Sequence, residues 1–356
     1  MRKIIVLLLM VCLVLSLSAC GFLRESAEDT SDGIEETFEA SDDESAETDD
    51  DSNNIPKIVK LNKANGLEGR QIGFTISKVE SDEWCQQLVK AVEVLGAYYG
   101  ADVNCLDAEE NIEDQIIQIE NFTADEYDMI FIDPISADGP AQAITEAQEE
   151  GVPVICCYDE CSADVETFVT WDAYEGGKVF AQYFIDYVKE HNANDTVRII
   201  ELTNSASERA KERYKALHEA CDASGINFEI IGTYETEGNR EYAYAEIEKL
   251  KDTGDYIISD VDNGAFGASA ALIAAGNTTT KIFSMSAYGI EPFTALYVED
   301  ENYTACLNVD PWVLAQAMYD STFNYFANQE NEKVTNIDSY MVDSSNVTDF
   351  WSFEEE

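Results

Sequence analysis

Basic residues are scarce in this chain. Across 356 residues, 21 Lys and Arg stand against 72 Asp and Glu, a formal net charge of -51. Nucleic-acid binding needs a concentrated basic surface facing phosphate, so that class is excluded. Anionic lipid headgroups are an equally poor docking surface. Histidine is nearly absent. His191 and His218 are the two in the chain, both on hydrophilic sides of predicted helices, so no HExxH zinc helix exists. No Ser-centred GxSxG elbow or phosphate loop is present either. Gly176-Gly177-Lys178 lacks the upstream glycine a P-loop requires, and Gly264-Ala265-Phe266-Gly267 is too short for GxGxxG. Asp260-Val261-Asp262 opens like a calcium loop, but Ala265 fills the glycine position. Acid pairs mean little in so acidic a chain, so they carry no glycosidase argument. No metal site and no cofactor is expected, and an enzyme is the remote reading.

What is present excludes disorder throughout: 45% of residues are hydrophobic and 11% aromatic. The one long hydrophobic run covers residues 4–17, behind Arg2 and Lys3. It has signal-peptide form and is shorter than the about 20 residues of an ordinary spanning helix. It ends in Leu17-Ser18-Ala19-Cys20, then Gly21. This resembles the lipobox of bacterial lipoproteins, which implies lipidation of Cys20 and an anchor on the outer face of the cell membrane. A plain signal peptide with a coincidental cysteine is the bland alternative. Residues 25–51 carry 14 acids and no Lys or Arg, too little apolar surface to offset ordering entropy. An extended tether is expected there; a calcium-collecting tail lacks fixed ligand spacing. From Ile55 onward 18 basic residues still face 58 acids, so the body itself is acidic.

Nine cysteines are present. Seven lie beyond Cys12 and Cys20, an odd number that cannot all pair, and most sit in apolar patterns where a free thiol packs as a small hydrophobe. Buried thiols are expected, with one disulfide as the alternative.

From Arg70 a regular alternation begins. Short apolar runs such as QIGFTIS and YDMIFIDP alternate with helical spacing, as in Trp84, Leu88, Val92 and Leu95. Asp82, Asn111 and Asp138 stand near helix starts as caps, and Gly100 and Gly151 follow helices. About ten strands separated by helices specify parallel sheets covered on both faces, and two lobes rather than one sheet. Ligands of such sheets bind beyond the strand C-termini, where polar residues were sought.

The stretches IGFTISKVESDEWCQQLVKAVE, DPISADGPAQAITEAQEEGVPVICCYDE and WDAYEGGKVFAQYF resemble ribose-type periplasmic binding proteins, the sugar-capturing components of ABC transporters. The similarity covers about residues 70–344. It implies an α/β fold of two doubly wound parallel-sheet lobes joined by three crossovers, near Asp172, near residues 308–311 and near Val334. The expected division is a signal peptide at 1–19, an acidic tether at 20–56, an N-terminal lobe at 57–171 plus 309–334, and a C-terminal lobe at 172–308 plus 335–356.

The resemblance also implies a site. Glu83 and Trp84 fall where the family stacks aromatic rings on sugar, and an indole suits that role. Asp159 matches an aspartate after the fourth strand, while Glu160 replaces the arginine beside it. Arg213 matches an arginine of the second lobe. Asp262 lies in the segment of an Asn-Asp pair whose asparagine is Val261 here. Ser286 replaces an aspartate, Asn308 lies near a glutamine ligand, and Trp171 precedes the first crossover as stacking partner or hinge packing. Bland readings stand beside these: Trp84 as core, Arg213 as a solvated helix charge, Asp159 as a turn cap, Arg240 as surface. The departures at Glu160 and Ser286 put ribose in doubt and leave a cationic or amino-bearing ligand, or another polyol, open.

The implied partners are a small polar, sugar-like ligand, an ABC permease, and the membrane through the N-terminal lipid alone, with the protein a monomer. A receptor module presenting ligand to a sensor kinase or chemoreceptor is the competing function. A transcriptional repressor of this fold is opposed by the lipobox.

Overall fold

The computed structural model describes residues 55–62, 66–80, 83–192 and 194–353. The expected signal peptide, the Cys20 anchor, most of the tether and Asp82 lie outside them.

Two six-stranded sheets form the body. The first contains β1 (Gln71–Ile76), β2 (Asp102–Asp107), β3 (Met129–Ile132), β4 (Val154–Cys157), β5 (Thr167–Trp171) and β11 (Val334–Ile337). Their order is β11-β5-β4-β3-β1-β2, all parallel. The second contains β6 (Val197–Thr203), β7 (Phe228–Glu235), β8 (Tyr256–Ser259), β9 (Lys281–Ser284), β10 (Tyr303–Asn308) and β12 (Tyr340–Asp343), ordered β12-β10-β9-β8-β6-β7. Both are the doubly wound sheets expected, with one departure: β12 runs antiparallel to β10. β11 belongs to the first sheet, three residues past the crossover expected near Val334, and only residues 338–339 link it to β12. A parallel return needs a crossover of about a dozen residues. With two, the chain enters the second sheet beside the end of β10, pairing Tyr340 with Asn308, and must run backwards.

Each sheet is buried on both faces, which is why its strands read as unbroken apolar runs. On the first, α1 (Glu83–Tyr99) and α9 (Pro311–Phe326) bury Leu88, Val92, Leu95, Leu314 and Met318 against Phe74 and Phe131. The spacing of those α1 residues is the helical stripe visible in the sequence. The opposite face holds α2 (Ile112–Ala124) and α3 (Ala141–Glu149). On the second sheet, α4 (Ala173–His191) and α5 (Glu208–Ala223) bury Phe180, Phe184 and Leu217. Helices α6 (Arg240–Ile247), α7 (Asp262–Ala274) and α8 (Ile290–Tyr297) cover its other face, with Val347 and Phe350.

Helix starts are fixed by side chains that accept otherwise unpaired amides. Asn111 caps α2, Asp172 caps α4, and Asp310 caps α9 with Pro311 in its first turn. Asp138 is not a cap: α3 starts after Pro140, which makes no side-chain cap bond. Gly100 and Gly151 end α1 and α3 at φ +85° and +95°, a region open to glycine. Among the described residues no disulfide joins the seven cysteines beyond Cys20, six of which are buried. Among the described residues no helix is long and apolar enough to cross a membrane, and no group of three or more His, Cys, Asp or Glu is placed to hold a metal ion.

Candidate ligand-binding cleft

A cavity of about 420 Å³ lies between the two sheets, where the C-terminal ends of their strands face each other. The first sheet supplies mostly rings. Glu83 and Trp84 open α1, Tyr158 follows β4, and Trp171 ends β5. The Trp84 and Tyr158 rings sit 4.3 Å apart at 36°. Trp84 Nε1 donates to the Val309 carbonyl at 2.8 Å, tying the indole to the second crossover. The second sheet supplies Asp262 and Asn263 after β8, Ser286 after β9 and Glu291 in α8 as polar groups, with Val261, Ala287, Tyr288 and Pro292 between them.

The lobes also touch directly. Arg209 of α5 reaches across to Asp159 at 2.9 Å and donates to the Tyr158 carbonyl at 2.7 Å. Its guanidinium lies 4.5 Å from the Tyr158 ring centroid, a cation–π contact. On the other side, the Ile290 amide donates to Glu83 Oε1 at 2.9 Å. Glu83 thus caps a helix of the opposite lobe, and Gly289 before it leaves room: a Cβ there would lie 2.2 Å from Glu83 Oε2.

Several buried polar atoms near these strand ends have no hydrogen-bond partner: Trp171 Nε1, Arg213 Nε, both carboxylate oxygens of Asp260, and Asn308 Oδ1. Such atoms are costly unless something pairs with them; of these residues Trp171 lines the cavity, and Arg213, Asp260 and Asn308 are buried outside its lining. Burial lifts the Asp260 carboxyl to about 6 against the opposing pull of Arg213, and burial lowers Arg213 itself. Asp133, just after β3, rises to about 7, chiefly by burial, although Ser77 hydrogen-bonds it at 2.7 Å. Asp262 rises to about 6 for the same cause.

Of the nine candidate residues, Glu83, Trp84, Trp171, Asp262 and Ser286 line the cavity. Arg213 is buried behind it, its guanidinium 5.5 Å from the Trp171 ring and its NH2 donating to the Asp260 carbonyl at 3.1 Å. Asn308 is fully buried and donates to Asp310 Oδ2 at 3.1 Å. Asp159 is exposed and engaged with Arg209, and Glu160 is exposed outside the cavity. Arg240 stands on the rim, holding Glu291 at 2.6 and 3.0 Å.

Sequence reasoning missed Tyr158, Arg209, Asp133, Asp260, Asn263, Tyr288 and Glu291. For Asp133 and Asp260 a signal existed: each is the first residue after an apolar strand. Arg209 precedes Arg213 by one helical turn, which the sequence also displayed. A larger depression of about 930 Å³ lies on the second lobe among α4, α8 and β12, lined by Tyr183, Tyr187 and Asp343 and by none of the nine candidates. Size alone does not mark the site; the strand ends do.

Two α/β lobes with an aromatic and polar cleft between their strand ends define a two-lobed binding protein. The chain belongs to the periplasmic binding protein domain family, which matches residues 72–330. Members of this family bind solutes outside the cytoplasm and are not enzymes. The fold is similar to that of a periplasmic ribose ABC transporter protein from Conexibacter woesei, at 16% identity and TM-score 0.68, covering 80% of this chain and 95% of that one. It is similar also to an arabinose-binding protein from Geobacillus stearothermophilus, at 15% identity and TM-score 0.69, covering 80% and 100%. A solute-binding protein from Actinobacillus succinogenes, with bound D-allose, shows 16% identity and TM-score 0.65, covering 79% and 100%. No curated protein sequence matches the chain significantly.

Proposed function

We propose that this protein captures a sugar-like small polar solute between its lobes and hands it to an ABC permease. It does so as a monomer, anchored by a lipid on Cys20 at the outer face of a bacterial membrane. The single observation that carries the reading is the cleft: indole and phenol rings on one wall, hydrogen-bonding groups on the other, and unpartnered polar atoms buried behind them. A pyranose or cyclitol has that division, with C–H faces for rings and hydroxyls around its edge. Ribose, arabinose and D-allose, the sugars named for the similar structures, fit the same description. The expected lobes, 57–171 plus 309–334 and 172–308 plus 335–356, with β11 carrying the first on to Ile337, close on the solute as a hinge, and the Arg209–Asp159 and Glu83–Ile290 contacts are the latches of the closed form.

A thermal-shift screen of pentoses, hexoses, polyols, nucleosides and amino sugars tests this, because a ligand of the closed form raises Tm. The expected result is a shift from one small group of related solutes. No shift from any solute would sink the cleft, and so would a Trp84→Ala variant that binds the shifting solute with unchanged affinity. Cys20→Ser is expected to release the protein from membranes; retention would remove the anchor.

A further inference from the structure

The cavity is lined by three carboxylates, Glu83, Asp262 and Glu291, and by no lysine or arginine among the described residues. Two of the three are already engaged: Glu291 by Arg240 at 2.6 Å, and Glu83 by the Ile290 amide at 2.9 Å. Asp262 is different. Its Oδ1 accepts from the Asn263 amide at 2.7 Å, leaving Oδ2 without a protein partner among the described residues. The two arginines behind the cleft do not neutralise it, since Arg209 holds Asp159 and Arg213 is turned to the Asp260 carbonyl. Asp262 is partly buried, and a carboxylate withdrawn from water is costly unless a cation or several donors meet it. Trp84, Tyr158 and Trp171 line the same cavity, the last two already beside guanidinium groups. Trp171, only 6% exposed, lines the same cavity with Nε1 unpartnered, an independent sign that a ligand completes this site.

We propose that the ligand of this cleft is an amine-bearing polyol, an amino sugar or aminocyclitol, whose ammonium is held by Asp262 beside Glu83. This rests on the reading of the cleft as a solute site and narrows it. Hydroxyls alone would fill the hydrogen bonds but leave the cavity's charge unbalanced; an ammonium supplies both donors and charge in one group. Burial raises the Asp262 carboxyl to about 6 against the Asn263 amide, with Glu291 adding and Arg240 opposing, and a bound ammonium would favour its ionised form.

The experiment is calorimetric titration of the full chain at neutral pH with matched pairs: glucose against glucosamine, and myo-inositol against an amino-deoxy-inositol. N-acetylglucosamine serves as the uncharged control. The ammonium member of at least one pair is expected to bind about tenfold tighter than its hydroxyl partner, with N-acetylation abolishing the gain. Asp262→Asn is expected to bring the pair within about threefold, and Glu83→Gln to narrow it less. Should Asp262→Asn fail to fold, Glu83→Gln still reads the charge. A hydroxyl member binding as tightly as its amine overturns the inference and leaves the solute-binding reading standing. No binding by any member of either series overturns the inference, and the solute-binding reading then stands or falls on the wider thermal-shift screen.

Discussion

The two lobes meet the cleft with different chemistry, although each is the same kind of sheet covered by helices. The first offers Trp84, Tyr158 and Trp171, rings supported by the Val309 carbonyl and by Arg209. The second offers Asp262, Asn263, Ser286 and Glu291, backed by the buried Arg213 and Asp260. A ring surface binds through area and tolerates small displacements; carboxylates and amides bind through direction and do not. If the lobes close as proposed, the first would receive the solute and the second would judge it on closure. Arg209 joins the two, a cation of the second lobe resting on a ring of the first.

The comparison breaks most severely at Arg213. This side chain is 3% exposed, and Arg213→Met would remove the guanidinium that opposes the burial of the Asp260 charge. A loss of about 3 kcal/mol of stability is expected by urea denaturation at pH 7.5. The deficit should shrink near pH 5. Asp260 already titrates at about 6 in the fold, above its ordinary value, so its charge costs stability above that pH and the cost fades as the carboxyl protonates below it. A deficit independent of pH would mean that Arg213 serves packing against Trp171 instead.

Trp84→Ala tests the ring wall. Affinity for whichever solute shifts Tm is expected to fall about 10- to 100-fold, with most of the fold's stability kept because the indole is only partly buried. An unchanged affinity, measured by titration, would return Trp84 to a core role and leave the first lobe without its assigned part.

Arg209→Gln sharpens the division between receiving and closing. The ion pair with Asp159 is partly exposed, 32% and 54% for the two side chains, so it adds little to stability. Its loss should weaken ligand affinity by about fivefold and expand the ligand-free protein in small-angle scattering, while the ligand-bound form stays compact. Equal scattering of the two free proteins would show that the contact follows closure and does not favour it.

Much of this architecture was legible because parallel strands buried on both faces cannot hide. The inner strands such as β1, β3, β4 and β8 stand out as apolar runs, while the edge strands β2 and β7 are partly exposed, and the helices between them repeat at 3.6-residue spacing. β11, Val-Thr-Asn-Ile, and β12, Tyr-Met-Val-Asp, did not, being four residues each, partly exposed, and strands only because two crossovers bring them to sheet edges. The site was legible where a strand hands directly to a helix, as β1 does to Glu83 and Trp84. It was not legible where backbone geometry aims the residue. Tyr158 turns to the cleft at φ +59°, a conformation that no pattern of side chains announces. Nor could spacing choose between Arg209 and Arg213, which share a helix face; burial decides that one bridges the lobes and the other sits behind Trp171.

The smallest effect is expected at Glu160, where resemblance put a ligand contact and the fold puts an exposed side chain two residues past Tyr158. The chain turns sharply there, spending one residue on the ring that meets Trp84 and the next on the ion pair to Arg209. Glu160 is thereby carried past the cavity rim. Glu160→Gln should alter affinity by less than about twofold, since an exposed charge in high dielectric couples weakly to a ligand it does not touch. Any change it does make should vanish in about 0.5 M salt, while a change surviving salt would place Glu160 on the ligand and move the cleft's edge outward.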